Sequence, residues 1–206
     1  MTTQDKGQVT GSAAEIYDEF FVPALFQDWS DRVADHAQIQ AGQSVLDVAC
    51  GTGVLARAVH NRVGHTGQVV GIDINEGMLA VARSKSAEIE WKHNPAESLP
   101  FETGSFDAVV SQFGLMFFEN RALAIDEIIR VLRPDGKLAI AVWDTLDNTP
   151  GYLYTDIKGW VLADMIDDQQ FAMLLKQAQT DLASFVTDDG KVLFKAPAHI
   201  VSATKI

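Results

Sequence analysis

An α/β fold, doubly wound about a mostly parallel sheet with helices on both faces, follows from three observations. Val45-Leu46-Asp47-Val48 is a short apolar run that stops at Gly51 and Gly53, and Val54-Leu55-Ala56-Arg57-Ala58-Val59 continues at helical spacing. Gln68-Val69-Val70-Gly71-Ile72-Asp73 is a second such run, ending on an acid twenty residues after Gly53. Further apolar runs then alternate with helical patterns as far as Trp143, the signature of strand-helix-strand units.

The first turn carries most of the functional information. Glycines there accept unusual backbone angles and leave no Cβ in the way of a ligand lying against the main chain. Gly51, Gly53 and Ala56 also satisfy the GxGxxG/A pattern of dinucleotide-binding folds. Asp47 separates the readings, because a carboxylate just before the loop repels a pyrophosphate and favours an ammonium or sulfonium.

Val45-Leu46-Asp47-Val48-Ala49-Cys50-Gly51-Thr52-Gly53 resembles the first motif of the class I S-adenosylmethionine-dependent methyltransferases, in particular the group that includes the ubiquinone and menaquinone C-methyltransferases. The resemblance runs from about Ala13 to Trp143 and resumes near Asp156. It implies S-adenosylmethionine as cofactor, a small-molecule methyl acceptor, and a Rossmann-like sheet whose final strand, Ala198 to Thr204, inserts antiparallel. It places Asp47, Gly51 and Gly53 near the methionine end of the cofactor, Met78 or Ile74 against the adenine, and Ala96 at the adenine edge. Asp73 stands where a doubly wound fold puts an acid to accept hydrogen bonds from a ribose diol, with helix capping as its plain alternative.

Composition narrows the partners. With 47% hydrophobic and 21% charged residues, 206 residues suit one folded domain with a substantial core. A formal net charge of -12 repels nucleic acid and anionic lipid. The chain has no apolar stretch approaching the roughly 20 residues of a membrane span, no signal-like start, and a single cysteine, Cys50. These features predict a cytoplasmic protein that acts on a small molecule, with homo-oligomerisation left open.

Three regions are expected: an N-terminal helical cover over 1–40, a cofactor-binding core over 41–145, and a shortened lid region, last helix and final strand of the same domain over 146–206. Residues 1 to 11 read as frayed. Pro23 is expected to break this segment into two helices. The resemblance implies that they cover the cofactor pocket, with Tyr17 and Trp29 as the aromatic candidates for the cover and a plain core role as the alternative for each. Asn75 is a good N-cap for the helix through Met78.

Ile89 to Asn94 reads as a third strand, followed by Pro95-Ala96-Glu97-Ser98-Leu99-Pro100-Phe101, which resembles the family's adenine loop. Pro95 stands where the family usually has aspartate, leaving the Ala96 N–H and Glu97 as alternatives for the adenine edge. Ser105 to Ser111 is the fourth strand. The loop from Gln112 to Phe118 should face the cofactor, with Gln112 and Phe113 near the transferred methyl; Phe113 reads equally as core packing or as a wall for the methyl acceptor, and Phe117 reads as core. Arg130-Val131-Leu132-Arg133-Pro134-Asp135-Gly136 matches a structural signature of the family, with Asp135 in place of a glycine, and Lys137 to Trp143 forms the fifth strand. Tyr152-Leu153-Tyr154 then leads almost directly to Asp156, with no apolar run for the family's sixth strand. A last helix carries Phe171, Leu174, Leu175, Ala178, Leu182 and Phe185 on one face.

His36, His60, His65, His93 and His199 all read as surface or packing residues, and no metal-ligand spacing occurs. No catalytic residue is assigned, because a sulfonium methyl needs a base only when its acceptor must lose a proton. The leading expectation is methyl transfer to O, N or C of a small molecule. The rivals are a nicotinamide-dependent oxidoreductase and a non-catalytic S-adenosylmethionine-binding protein.

Overall fold

The computed structural model describes residues 11–145, 148, 168–190, 193 and 195–206. Of the start expected to be frayed over 1–11, residues 1–10 lie outside the described residues, as does the interval from Tyr152 to Trp160, whereas Gly11 already belongs to a helix. The described residues fall into two compact units, one of 11–142 with 199–206 and one drawn from 143–198.

The strands are β1 (Ser44–Val48), β2 (Gln68–Asp73), β3 (Glu90–His93), β4 (Phe106–Gln112), β5 (Leu132–Trp143) and β6 (Ala198–Thr204), in the order β3-β2-β1-β4-β5-β6. β1 pairs parallel with β2 and β4, β2 with β3, and β4 with β5. β6 is antiparallel to β5: the Asp135 N–H donates to the Lys205 carbonyl and the Lys205 N–H to the Gly136 carbonyl, both at 2.9 Å. The chain winds outward from β1 in one direction and from β4 in the other, so a crevice opens between the carboxyl ends of these two strands.

β1 is buried on both faces because its side chains alternate between two helical layers. Leu46 and Val48 join Ile72, Val109, Ile128 and Leu132 in a core beneath α5 (Arg121–Val131). On the other face, α3 (Val54–Val63) lies on β1 and β2, and α2 (Gln27–His36) lies on α3 and β4. Val33, Leu55, Val59 and Val63 are at most 1% exposed there, each burial contributing roughly 1.5–3 kcal/mol. α4 (Glu76–Lys85) starts at Asn75, whose side chain accepts the Met78 N–H at 3.2 Å, and Asn120 caps α5 by accepting the Leu123 N–H at 3.1 Å.

Three sequence expectations are corrected. Pro23 does not break the cover: α1 (Gly11–Ile16) passes into a π-helical segment, Tyr17–Phe26, that contains Pro23 and runs on into α2. The Gln27 N–H reaches back five residues to the Val22 carbonyl, and the wider turn carries the chain past the proline ring. β5 begins at Leu132 rather than Lys137, because Leu132 pairs with Phe106 and Lys137 with Ala108, and the four residues between bulge out. Asp135 sits in that bulge at φ 63°, the left-handed conformation glycine would adopt without strain. Phe117, expected in the core, is 49% exposed.

In the second unit, α6 (Asp168–Asp181) leads into a 3-10 turn, Ala183–Phe185. Leu174, Ala178, Leu182 and Phe185 are half-buried, whereas Leu175 is 50% exposed and lies off their stripe.

Lys205 closes the first unit from its carboxyl end. Its Nζ donates to the carbonyls of Leu132 at 2.6 Å, Ile129 at 2.7 Å and Arg130 at 3.5 Å, so a cation caps the last turn of α5. Lys205→Met is expected to cost about 1–2 kcal/mol, a drop of roughly 2–8 °C in thermal midpoint for a chain of this size. An unchanged midpoint would show that these carbonyls are as well served by water.

Candidate active site

The glycine turn is built by three main-chain bonds and one carboxylate. The Cys50 N–H donates to the Ile72 carbonyl at 2.9 Å, the Gly53 N–H to the Cys50 carbonyl at 2.8 Å, and the Arg57 N–H to the Gly53 carbonyl at 3.0 Å. The Gly51 N–H donates to Asp73 Oδ2 at 2.8 Å, which ties the turn after β1 to the end of β2. Gly51 and Gly53 have φ of 54° and 83°, so both require the left-handed region. A Cβ at Gly51 would have no neighbour within 4 Å, whereas one at Gly53 would meet Trp91 Cη2 at 2.4 Å. The turn therefore has an open side at Gly51 and a closed side at Gly53.

Asp73 also accepts the Asn75 N–H on Oδ1 at 2.8 Å. This bond shapes the turn ahead of α4, whose N-cap is Asn75, so the capping alternative for Asp73 does not hold. Each oxygen keeps a further lone pair for a donor. Burial raises the Asp73 carboxyl above its ordinary value, and the N–H groups of Asn75, Gly51 and Ile74 and the charge of His93 draw it back.

Asp47 is 1% exposed on the α3 side of β1, and among the described residues neither carboxylate oxygen has a partner at full hydrogen-bond geometry, the Ala56 N–H being directed at it more loosely. Burial pushes its carboxyl well up, the Ala56 N–H offsets part of this, and the Asp73 charge adds to it. An acid held above its ordinary value destabilises the folded chain as pH rises out of the carboxylate range, since the unfolded chain then gives up its proton more readily. Asp47→Asn is expected to raise the thermal midpoint of the ligand-free chain at pH 7 by about 3 °C or more, with the gain shrinking as pH falls toward the ordinary carboxylate range. A lower midpoint at pH 7 would contradict this. The same variant is expected to weaken any cationic ligand.

The remaining candidates lie around this turn. Met78 is 2% exposed and Ile74 is 49% exposed, so Ile74 is the one of the pair that presents surface beyond β2. Ala96 is buried. Glu97 Oε1 accepts the Asn120 N–H at 3.1 Å, at the start of α5. Gln112, the last residue of β4 rather than a loop residue, donates from Nε2 to the Phe26 carbonyl at 2.9 Å, and its buried Oε1 has no hydrogen-bond partner among the described residues.

Phe113 is buried, sits at φ 57° and packs against the cover, with ring centroids 5.7 Å from Phe26 and, edge-on, 5.8 Å from Trp29. Tyr17 lies 5.2 Å from Phe26. A bulky residue in the left-handed region is a strained conformation of the kind found at ligand sites. Ala49 has φ 58° at the end of β1, and a Cβ on Gly114 would approach the Ala49 Cβ to 2.5 Å, so the β1 and β4 turns interlock.

Trp91, Asp18 and Glu127, given no role from sequence, and Arg130, read there as part of a structural signature, also brace this region. Trp91 pairs with Gly71 across β2 and β3 and packs on Gly71 and Gly53, a glycine opposite a tryptophan being the available signal. Asp18 is buried in the cover, with Oδ2 2.5 Å from Lys85 Nζ and Oδ1 3.9 Å from Arg57 Nη2, which links the cover to α3 and α4. Glu127 and Arg130 hold the loop after β3. Among the described residues there is no group of three His, Cys, Asp or Glu fit to hold a metal, and no helix long and apolar enough to cross a membrane.

The strand ends thus bring together a buried carboxylate with no close hydrogen bond among the described residues, an open glycine turn, a second carboxylate at the next strand end and an aromatic wall. This suits an elongated ligand with a cationic part and a hydroxylated ring. Residues 46–140 match the family model described as a methyltransferase domain. The demethylmenaquinone methyltransferase of Staphylococcus aureus (strain MRSA252) is 42% identical over 111 residues, 52% of this chain and 46% of that protein. The demethylmenaquinone methyltransferase of Oceanobacillus iheyensis is 35% identical over 117 residues, 54% of this chain and 49% of that protein. The chain spans about half the length of these curated relatives.

The crystal structure of a SAM-dependent methyltransferase from Aquifex aeolicus shares the fold, with a TM-score of 0.64 over 97% of this chain and 100% of that one at 21% identity. Residues 46–140, which carry the glycine turn, Asp73 and the α5 signature, are thus similar to a methyltransferase domain.

Proposed function

We propose that the chain binds S-adenosylmethionine across the carboxyl ends of β1, β2 and β4 and methylates a small molecule. The observation that carries this reading is the pair of carboxylates around an open turn: Asp73 bonded to the Gly51 N–H, and Asp47 buried with no cation or close hydrogen bond among the described residues. In this reading Asp47, Gly51 and Gly53 border the methionine end, Asp73 accepts from the ribose diol, and Ile74, the exposed one of the pair with Met78, flanks the adenine. Ala96 meets the adenine edge through its main chain, because Glu97 is engaged at Asn120 and residue 95 is proline. A dinucleotide fits less well, since its pyrophosphate would lie beside two acids.

Bound there, the cofactor supplies an activated methyl group. The chain's own work is to align and to exclude water. Gln112 fixes the cover through the Phe26 carbonyl, and Phe113, Phe26, Trp29 and Tyr17 provide an apolar flank at the strand ends. The relatives named demethylmenaquinone methyltransferases favour a carbon of a hydroquinone-type ring as the acceptor atom. Such a ring suits stacking on aromatic side chains.

The test is incubation of the purified chain with S-adenosylmethionine carrying a labelled methyl group and a panel of reduced quinones, phenols and amines. Label in an organic product, with stoichiometric S-adenosylhomocysteine, supports the reading. Tight cofactor binding without transfer to any acceptor would leave a cofactor-binding protein instead.

A further inference from the structure

The segment between β3 and β4 has little regular structure, yet α5 holds it by its main chain. Glu127 Oε2 accepts the Leu99 N–H at 2.8 Å. Arg130 donates from Nη1 to the Phe101 carbonyl at 2.7 Å and from Nη2 to the Leu99 carbonyl at 3.0 Å. The two side chains are joined to each other by Nε to Oε1 at 2.6 Å and Nη2 to Oε2 at 2.8 Å. One planar fork, three residues apart on one helix, thus grips both sides of Leu99.

The other polar side chains of the segment serve the same end. Asn94 Nδ2 donates to the carbonyls of Pro95 at 3.0 Å and Ser98 at 2.5 Å, and Glu97 accepts from Asn120. Ala96 and Leu99 are 6% and 5% exposed, so the grip sets the height at which residue 96 meets the crevice. The Arg130 and Glu127 side chains are 33% and 18% exposed, and an ion pair so placed contributes little to global stability. Its effect is therefore concentrated on the order of this segment rather than on the fold.

We propose that Glu127 and Arg130 are positioning residues for the donor, fixing the 94–101 segment so that Ala96 meets the adenine ring. The proposal rests on the donor site described above. Arg130 stands in a stretch that resembles a structural signature, and this role gives its guanidinium a reason to be an arginine: lysine cannot bridge Glu127 and two carbonyls with one rigid plane.

The test uses the full chain with Arg130→Lys and Glu127→Gln, measuring the dissociation constants of S-adenosylhomocysteine and adenosine, amide hydrogen exchange over 96–101, and thermal midpoint. In Arg130→Lys the dissociation constants of both ligands are expected to rise about tenfold, the worth of one or two hydrogen bonds. Exchange over 96–101 should quicken while the midpoint stays within a few degrees of wild type. Where turnover is measured, donor KM should rise with kcat at saturating donor held within about twofold, a split that a general loss of folded protein would not give. Glu127→Gln, which keeps an acceptor for Leu99, should show a smaller rise. Dissociation constants within about twofold of wild type in Arg130→Lys, with 96–101 exchanging faster, would overturn the proposal. A wild-type chain that binds neither ligand overturns the donor reading itself, and that outcome is seen before any variant is compared.

Discussion

Asp73→Ala is expected to abolish measurable donor binding and to loosen the site at once. Asp73 accepts the Gly51 N–H and the Asn75 N–H, each at 2.8 Å, so the variant leaves two partly buried donors without their acceptor. That costs about 2 kcal/mol of stability, or roughly 4–8 °C of thermal midpoint in a chain this long. The binding loss is separate and larger. Two charge-assisted bonds to a vicinal diol contribute about 1.5–3 kcal/mol each, so affinity for S-adenosylhomocysteine should fall at least about a hundredfold. Asp73→Asn keeps the shape and one acceptor oxygen and should fall between the two. Calorimetric titration beside thermal denaturation separates the effects: a lowered midpoint with affinity within about threefold of wild type would mean that Asp73 only braces the glycine turn.

The two glycines of the turn should fail in opposite ways. At Gly53, φ is 83° and a Cβ would lie 2.4 Å from Trp91 Cη2, so Gly53→Ala meets both backbone strain and a clash. Strain of about 1–2 kcal/mol and overpacking of about 1–3 kcal/mol predict a loss of roughly 2–5 kcal/mol, enough to lower the midpoint by roughly 4–20 °C. At Gly51 a Cβ meets nothing within 4 Å, so Gly51→Ala costs only the strain of about 1–2 kcal/mol in the free chain. Its methyl enters the open side of the turn, where the donor's methionine end would lie, and affinity should fall at least about tenfold. Thermal melts and titrations of both variants check the contrast. If Gly51→Ala binds as wild type does, the ligand does not lie against this turn.

Much of the fold was legible because its signals are local. β2 and β6 have the expected limits, and Asn75 caps α4 as its residue type predicts. The acid at the end of β2 is placed by the sheet's own winding, so its meeting with Gly51 follows from strand length and turn length.

What sequence could not show is set by contacts between distant segments. Pro23 is a helix breaker only in the α register, and nothing local announces ten residues of π-helix. Phe117 looked like core because it is large and apolar, yet the 3-10 turn Leu115–Phe117 directs it outward while Phe113, four residues earlier, is buried. Trp91 and Gly53 are brought together only when β3 pairs with β2. Asp18, Arg57 and Lys85 come from three separate helical segments. The Glu127–Arg130 pair is readable as an i,i+3 bridge, but its grip on Leu99 and Phe101 depends on how the segment after β3 folds back over α5.

The central proposal is that the turn between Asp47, Gly51 and Asp73 takes S-adenosylmethionine. Calorimetric titration of the purified chain with S-adenosylmethionine, S-adenosylhomocysteine and NAD addresses it directly. Saturable binding of the first two near one per chain, with none of NAD, is the predicted result. Binding of NAD in place of the two sulfur compounds, or of none of the three, would contradict it.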